Sequence, residues 1–222
     1  MNANLERYVG ARSLTPQETR VLGCLLEKQR TTPDAYPLSL NALRLACNQS
    51  TNREPVVDYD DAVIREALHR LERRGFTRLA SGAGSRAPKY RHLLAEALPM
   101  DSGEQAIMCV LMLRGAQTPG ELKQRTERMH AFPDPASVQA ALGRLIGREL
   151  AARLDRRPGQ KEERYAQLLE DDGERERDPA MRSAPLRALP EREDLIERVA
   201  RLEREVAELR AALRHPDPEL QA

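Results

Sequence analysis

The chain has 222 residues, 40% hydrophobic and 32% charged with only 3% aromatic, which allows small apolar cores under a heavily charged surface. A net charge of +1 is lower than that of a dedicated nucleic-acid binder, three cysteines are too few and too scattered for a disulfide framework, and no run reaches the roughly 20 apolar residues that a bilayer requires. The opening MNANLERYVGARSL has neither an apolar signal region nor a small-residue cleavage site, so a cytoplasmic protein is expected.

In chain order, Thr15-Pro16-Gln17-Glu18 carries an N-cap threonine, a proline at the first helical position and a glutamate three residues after the cap. The apolar helix VLGCLL at 21–26 follows, with Cys24 expected as a small buried hydrophobe. RTTPDAYP at 30–37 breaks it, and SLNAL at 39–43 predicts a short second helix. The segment CNQSTNREPVV at 47–57 then sets Asn48, Gln49, Asn52 and Arg53 together. Amides and a guanidinium can pair with base edges, and they can equally tie a loop to its own backbone. Asp60 or Asp61 caps a longer helix, VIREALHRLERRGF at 63–76. Its apolar face is Val63, Ala67, Leu68 and Leu71, leaving Arg65, Glu66, His69, Arg70 and Arg73 mostly off that face. FTRLA and KYRHLL around the tip SGAGSRAP read as a hairpin, with Arg86 and Lys89 near the tip.

The order then repeats. Ser102 with Gln105 predicts a start for the helix containing IMCVLM at 107–112, where Cys109 matches Cys24. Thr118-Pro119-Gly120-Glu121 opens a second short helix, and RTERMHAFPD at 125–134 leads to a third, capped by Asp134 before Pro135. In VQAALGRLIGREL at 138–150 the apolar face is Val138, Ala141, Leu142, Leu145 and Ile146, with Gln139, Arg144 and Arg148 off it. LAARLD and RYAQLL flank a basic tip carrying Arg156, Arg157 and Lys161. Superposing Leu68 and Leu71 on Leu142 and Leu145 brings Tyr90 to within about one residue of Tyr165. Three helices followed by a two-stranded hairpin is the order of a winged helix. The expected fold is therefore mainly α with small β-hairpins (α+β), as two tandem winged-helix modules at 1–98 and 99–170.

Residues 171–189, charged and dotted with proline, read as a flexible linker, and a last helix is predicted over 190–215. Leu195, Val199, Leu202, Val206, Leu209 and Leu213 are spaced as heptad positions, with β-branched residues at a and leucine at d, the pattern of a parallel two-stranded coil. Arg198 and Glu205 at g would face Glu203 and Arg210 at e. The alternatives are a homodimer through this coiled-coil-like helix, or one amphipathic helix packed back on its own chain.

The strings LTPQETRVLGCLLEKQRTTPDAYPLSLNAL and CNQSTNREPVVDYDDAVIREALHRLERRGF, with LRGAQTPGELKQRTERMHAF in the second repeat, resemble the YceH-like family of uncharacterised bacterial proteins. The resemblance spans nearly the whole chain. It implies a tandem winged-helix architecture and no particular activity.

Three functional classes follow. In a DNA-binding protein the third helix of each module meets the major groove and the hairpins meet phosphates, with double-stranded DNA as the partner. The candidates are then Arg65, His69, Arg70 and Arg73; Gln139, Arg144 and Arg148; and the hairpin cations Arg86, Lys89, Arg156, Arg157 and Lys161. Against this, Asp58, Asp60 and Asp61 at the start of the first such helix would repel phosphate unless they serve as caps. The alternative is a protein–protein interaction scaffold, which the near-neutral charge suits. Catalysis is the least supported: no catalytic constellation or phosphate loop stands out. His69, His92, His130 and His215 are scattered without ligand spacing, so no metal or other cofactor is expected.

Overall fold

The helix starts fall where backbone amides find side-chain acceptors. In the computed structural model, which describes residues 14–80, 87–154 and 162–170, α1 (Pro16–Thr31) begins at a reciprocal cap. Thr15 Oγ1 accepts from the Glu18 amide at 3.2 Å and Glu18 Oε2 accepts from the Thr15 amide at 2.7 Å. Proline 33 opens a short 3-10 turn (Pro33–Ala35), and β1 (Leu38–Ser39) leads into α2 (Leu40–Cys47), capped by Ser39. Asp60 caps α3 (Asp61–Arg73) through the Val63 amide at 2.9 Å. The strands β2 (Thr77–Leu79) and β3 (Lys89–His92) follow, and a single turn of helix, α4 (Leu94–Ala97), ends the first repeat.

The second repeat runs α5 (Ser102–Arg114), α6 (Pro119–Thr126), α7 (Pro135–Gly147), β4 (Ala151–Leu154) and β5 (Arg164–Gln167). Thr118 with Glu121 and Asp134 with Ser137 cap α6 and α7 as expected. The start of α5 differs from expectation by one residue. Asp101, not Ser102, is the cap, and Glu104, not Gln105, closes the box at 2.8 and 3.0 Å. A carboxylate complements the positive end of the helix better than a hydroxyl does. Gln105 instead donates to the Met100 carbonyl at 2.8 Å.

The repeats match in detail. Each α3-type helix ends with a left-handed residue, Gly75 at φ 75° and Glu149 at φ 56°. Phe76 and Leu150 then bond back to Leu71 and Leu145, each at 2.9 Å. β3 lies between β1 and β2, all antiparallel, with Leu38 opposite Tyr90 and Thr77 opposite His92. In the second repeat β5 pairs with β4, and Gln117 bridges Tyr165 as Leu38 does Tyr90. Strand β1 and this bridge were not anticipated; a two-residue strand shows no periodicity. After each hairpin a side chain caps the chain: His92 Nδ1 accepts from the Leu94 amide at 3.3 Å, and Gln167 Oε1 from the Leu169 amide at 2.6 Å.

The first helices of the two repeats are buried on nearly all sides, as helices inside a protein are. They pack tightly against each other at Gly23, where an added Cβ would lie 2.9 Å from the Leu113 side chain. Cys109 donates to the Gly23 carbonyl across the same seam at 3.4 Å. One buried apolar cluster therefore runs through both repeats, from Val21 and Leu25 to Ile107 and Leu111. Leu14 closes it against the far end of the second repeat, its amide donating to the Leu169 carbonyl at 2.9 Å. Cys24, Cys47 and Cys109 are all free thiols in this interior.

On α3 the buried stripe is Ile64, Ala67, Leu68 and Leu71, with Val63 half-buried at its edge. On α7 it is Val138, Ala141, Leu142 and Leu145; Ile146, expected inside, is 37% exposed. Among the described residues no helix is long and apolar enough to cross a membrane. The fold is thus mixed helix with small antiparallel sheets. The predicted linker 171–189 and the heptad helix with Leu195, Val199, Leu202, Val206, Leu209 and Leu213 lie outside the described residues, as do Arg86, Arg156, Arg157 and Lys161.

Candidate nucleic-acid interface

Helix α3 turns its apolar stripe inward, which by helical geometry sends Arg65, His69, Arg70 and Arg73 to solvent. Arg65 pairs with Asp61 one turn back at 3.7 Å and Arg70 with Glu66 at 2.7 Å, all four side chains well exposed. Pairs of this kind add little stability and exchange readily for another anion. His69 and Arg73 have no ion-pair partner among the described residues. Lys89, at the start of β3, is exposed beside the same sheet.

The acidic start of α3 is engaged locally. Asp60 caps the helix, Asp58 accepts from Asn48 Nδ2 at 3.3 Å, and Asp61 also pairs with Arg44 at 2.9 Å. Tyr59 between them is buried.

The corresponding helix of the second repeat is arranged differently. Arg144 reaches across to the start of α5, with Nε 2.8 Å from Glu104 and Nη2 2.7 Å from Asp101. Arg148 holds the other Glu104 oxygen at 2.7 Å and also donates to the carbonyl of Pro99. Hydrogen bonding to Glu104 raises the Arg144 pKa. Burial pushes the Asp101 carboxyl up, but the Glu104 amide and Arg144 more than offset this and leave it below the usual range. The first-repeat counterpart is looser: Arg74 approaches buried Glu18 at 3.6 Å, while Arg70 stays with Glu66 on its own helix. Gln139 is exposed, its Oε1 accepting from Tyr165 Oη at 3.5 Å.

Of the loop candidates Arg53 turns inward, Asn48 and Gln49 are half-buried, and Asn52 is exposed. Arg53 is 4% exposed and all five of its N–H groups are engaged. Nε donates to the Ala46 carbonyl at 3.0 Å; Nη1 to Glu27 at 3.1 Å and the Asn52 carbonyl at 2.8 Å; Nη2 to Glu27 at 2.6 Å and Gln49 at 2.8 Å. Asn48 both accepts from the Tyr59 amide at 2.9 Å and donates to its carbonyl at 2.8 Å. Asn52, left-handed at φ 60°, accepts from Arg114 of the other repeat. Arg20 adds donations to the Cys47 and Pro55 carbonyls at 3.1 and 2.6 Å. Burial pushes the Glu27 carboxyl up, but Arg53 and Lys28 more than offset it and hold it below the usual range.

Comparison with known proteins adds the family. Residues 14–160 match the family model described as "Protein of unknown function, DUF480". The chain belongs to the DUF480 family. A UPF0502 protein of Shewanella sp. (strain ANA-3) is 45% identical over 208 residues, covering 90% of this chain and 95% of that protein. One from Klebsiella pneumoniae (strain 342) is 46% identical over 208 residues, covering 90% and 94%. One from Solibacter usitatus (strain Ellin6076) is 48% identical over 201 residues, again covering 90% and 94%. The membership read from the strings around Cys47–Phe76 is borne out.

Sequence reasoning missed Glu27, Arg20 and Glu104 in this DUF480 chain, and saw Glu18 only as part of a cap. Each is a charged residue inside an apolar helix face or beside its cap, and its partner lies between 26 and 56 positions away. The one available signal was the repeat itself, which sets Glu18 over Glu104 and Arg74 over Arg148.

Proposed function

We propose that the chain is a non-enzymatic, cytoplasmic DNA-binding protein in which the two repeats act as winged helices and the first carries the reading helix. The observation that carries this is the difference between α3 and α7. Arg65, His69, Arg70 and Arg73 line an exposed face on which Arg65 and Arg70 make surface pairs, whereas Arg144 and Arg148 are committed to the cap of α5. Groove insertion needs cations that can leave their partners at little cost, and α3 supplies them. Lys89, Arg86 and the second hairpin's Arg156, Arg157 and Lys161 would then meet phosphates. A homodimer formed through residues 190–215 would set two such helices on two half-sites.

Fluorescence anisotropy of labelled duplex DNA across a salt series tests this. Phosphate contacts give a log–log slope of about −0.9 per phosphate neutralised. Arg73→Glu should weaken binding and flatten the slope, while Arg156→Glu with Arg157→Glu should weaken it through the hairpin. Absence of binding at low salt rejects the reading. Leu202→Asp should give a monomer by sedimentation. The second reading, a protein-docking scaffold, draws on Leu45 and Val56, which are 57% and 49% exposed.

A further inference from the structure

Between the two repeats lies a cleft of about 430 Å³, within the range of small-molecule sites. Glu27 and Thr31 of α1 and Asn52 of the loop form its wall on one side. Cys109, Val110 and Leu113 of α5, with Met129, give it an apolar floor. Three guanidinium groups, Arg114, Arg125 and Arg128, line the rest beside Gln124.

The charges do not balance locally. Glu27 is the one carboxylate lining the cleft among the described residues, and both of its oxygens are held by Arg53 at 3.1 and 2.6 Å. Arg125 is paired with Glu121 at 3.2 Å. Arg114 bonds only the neutral Asn52 side chain, and Arg128 has no ion-pair partner among the described residues. Burial lowers the Arg114 pKa, and the nearby Arg125 and Arg53 lower it further, together outweighing the opposing pull of Glu27 and Glu121.

We propose that this cleft binds a small organic phosphate, its phosphoryl group between Arg114 and Arg128 and its organic body on the Cys109–Met129 floor. A planar guanidinium offers paired donors that match phosphoryl oxygens, and two of them without a counterion suit a dianion. The apolar floor selects against a free, fully hydrated inorganic ion. The wall comes from both repeats, so the ligand would also brace one against the other. None of the residues that line the cleft belongs to α3, which sets this site apart from the DNA-reading face.

The test uses the full chain with phenyl phosphate, which joins a dianionic head to an apolar ring, and with phenol and benzoate as controls, by calorimetric titration and thermal melting. Phenyl phosphate should bind saturably and raise the melting temperature. Arg114→Gln and Arg128→Gln should each weaken it by about tenfold, the equivalent of one charged hydrogen bond. Arg128 is exposed, so its variant keeps the fold and the comparison stands even where Arg114→Gln disturbs Asn52. Arg128→Gln should leave duplex binding unchanged. The proposal is overturned by no saturable binding at millimolar phenyl phosphate, by unchanged affinity in Arg128→Gln, by phenol or benzoate binding as tightly, or by displacement of phenyl phosphate with duplex DNA.

Discussion

Replacing Arg53 by methionine keeps an unbranched stem as far as the Nε position and removes five donated hydrogen bonds at once. The carboxylate of Glu27, whose side chain is 14% exposed, keeps Lys28 at 3.3 Å as its remaining cation. Breaking a buried pair from one side costs about 3–5 kcal/mol; with Lys28 and some solvent left, about 3 kcal/mol is the reasonable share here. The carbonyl of Ala46 loses the donor that reached it at 3.0 Å, and an orphaned buried acceptor adds about 1 kcal/mol more. The expected loss is therefore about 4 kcal/mol, against total stabilities of about 5–15 kcal/mol for ordinary domains. Arg53→Lys keeps the charge but offers three donors from a single point and should lose about 2 kcal/mol. Urea denaturation followed by circular dichroism at neutral pH measures both. A loss below about 1 kcal/mol for Arg53→Met, or a lysine variant as stable as the parent, would show that this network does not hold the loop. If the loop instead met a nucleic acid directly, the methionine variant would lose binding at unchanged stability.

Three further outcomes follow from the geometry. Burial, with Arg91 and Arg30 nearby, lowers the His92 pKa to about 4, below the ordinary 6.5. Protons thus favour the unfolded chain, and stability should be full above about pH 6.5 and fall by about 3 kcal/mol as pH drops to about 4. His92→Gln, which copies the residue at the equivalent position 167, should flatten denaturation midpoints over that window; an unchanged pH profile would count against the assignment. Glu104→Gln should cost about 2 kcal/mol, because two arginines lose a buried anion, and Glu18→Gln less, since Arg74 stands off at 3.6 Å. Equal losses in urea would contradict this. Gly23→Ala and Gly143→Ala should act in opposite directions. At Gly23 an overpacking cost of about 1–3 kcal/mol exceeds a helix-propensity gain of about 1, whereas Gly143 has open space and keeps the gain. Thermal melts that shift the same way for both would be the contrary result.

How far the sequence was legible depended on whether the deciding partner was local. Thr15, Thr118, Asp60 and Asp134 announce helix starts because a cap acts within three residues. The start of α5 was ambiguous because Asp101–Glu104 and Ser102–Gln105 both match the pattern, and only charge separates them. Helical periodicity placed Arg144 and Arg148 away from the core, which is true of their direction. It is blind to the partner, Glu104, 40 and 44 positions earlier. Ile146 followed the same periodicity and ended exposed, at the edge of a stripe that Leu142 and Leu145 already fill. The cleft could not be foreseen at all, since its wall draws on positions from 27 to 129 that meet only after the first helices pack.

The seam at Gly23 has a consequence for how the two halves of the chain can differ. Each repeat uses the first helix of the other as part of its interior, so a change in bulk at Gly23 must be answered at Leu113. Neither half can drift alone there, and the shared skeleton persists in small things: His92 and Gln167 doing one job, Gly75 and Glu149 making one turn. Among the described residues α3 and α7 do not share such a seam. One has kept its cations facing water while the other has turned them onto its own scaffold, so two copies of one frame present unlike faces.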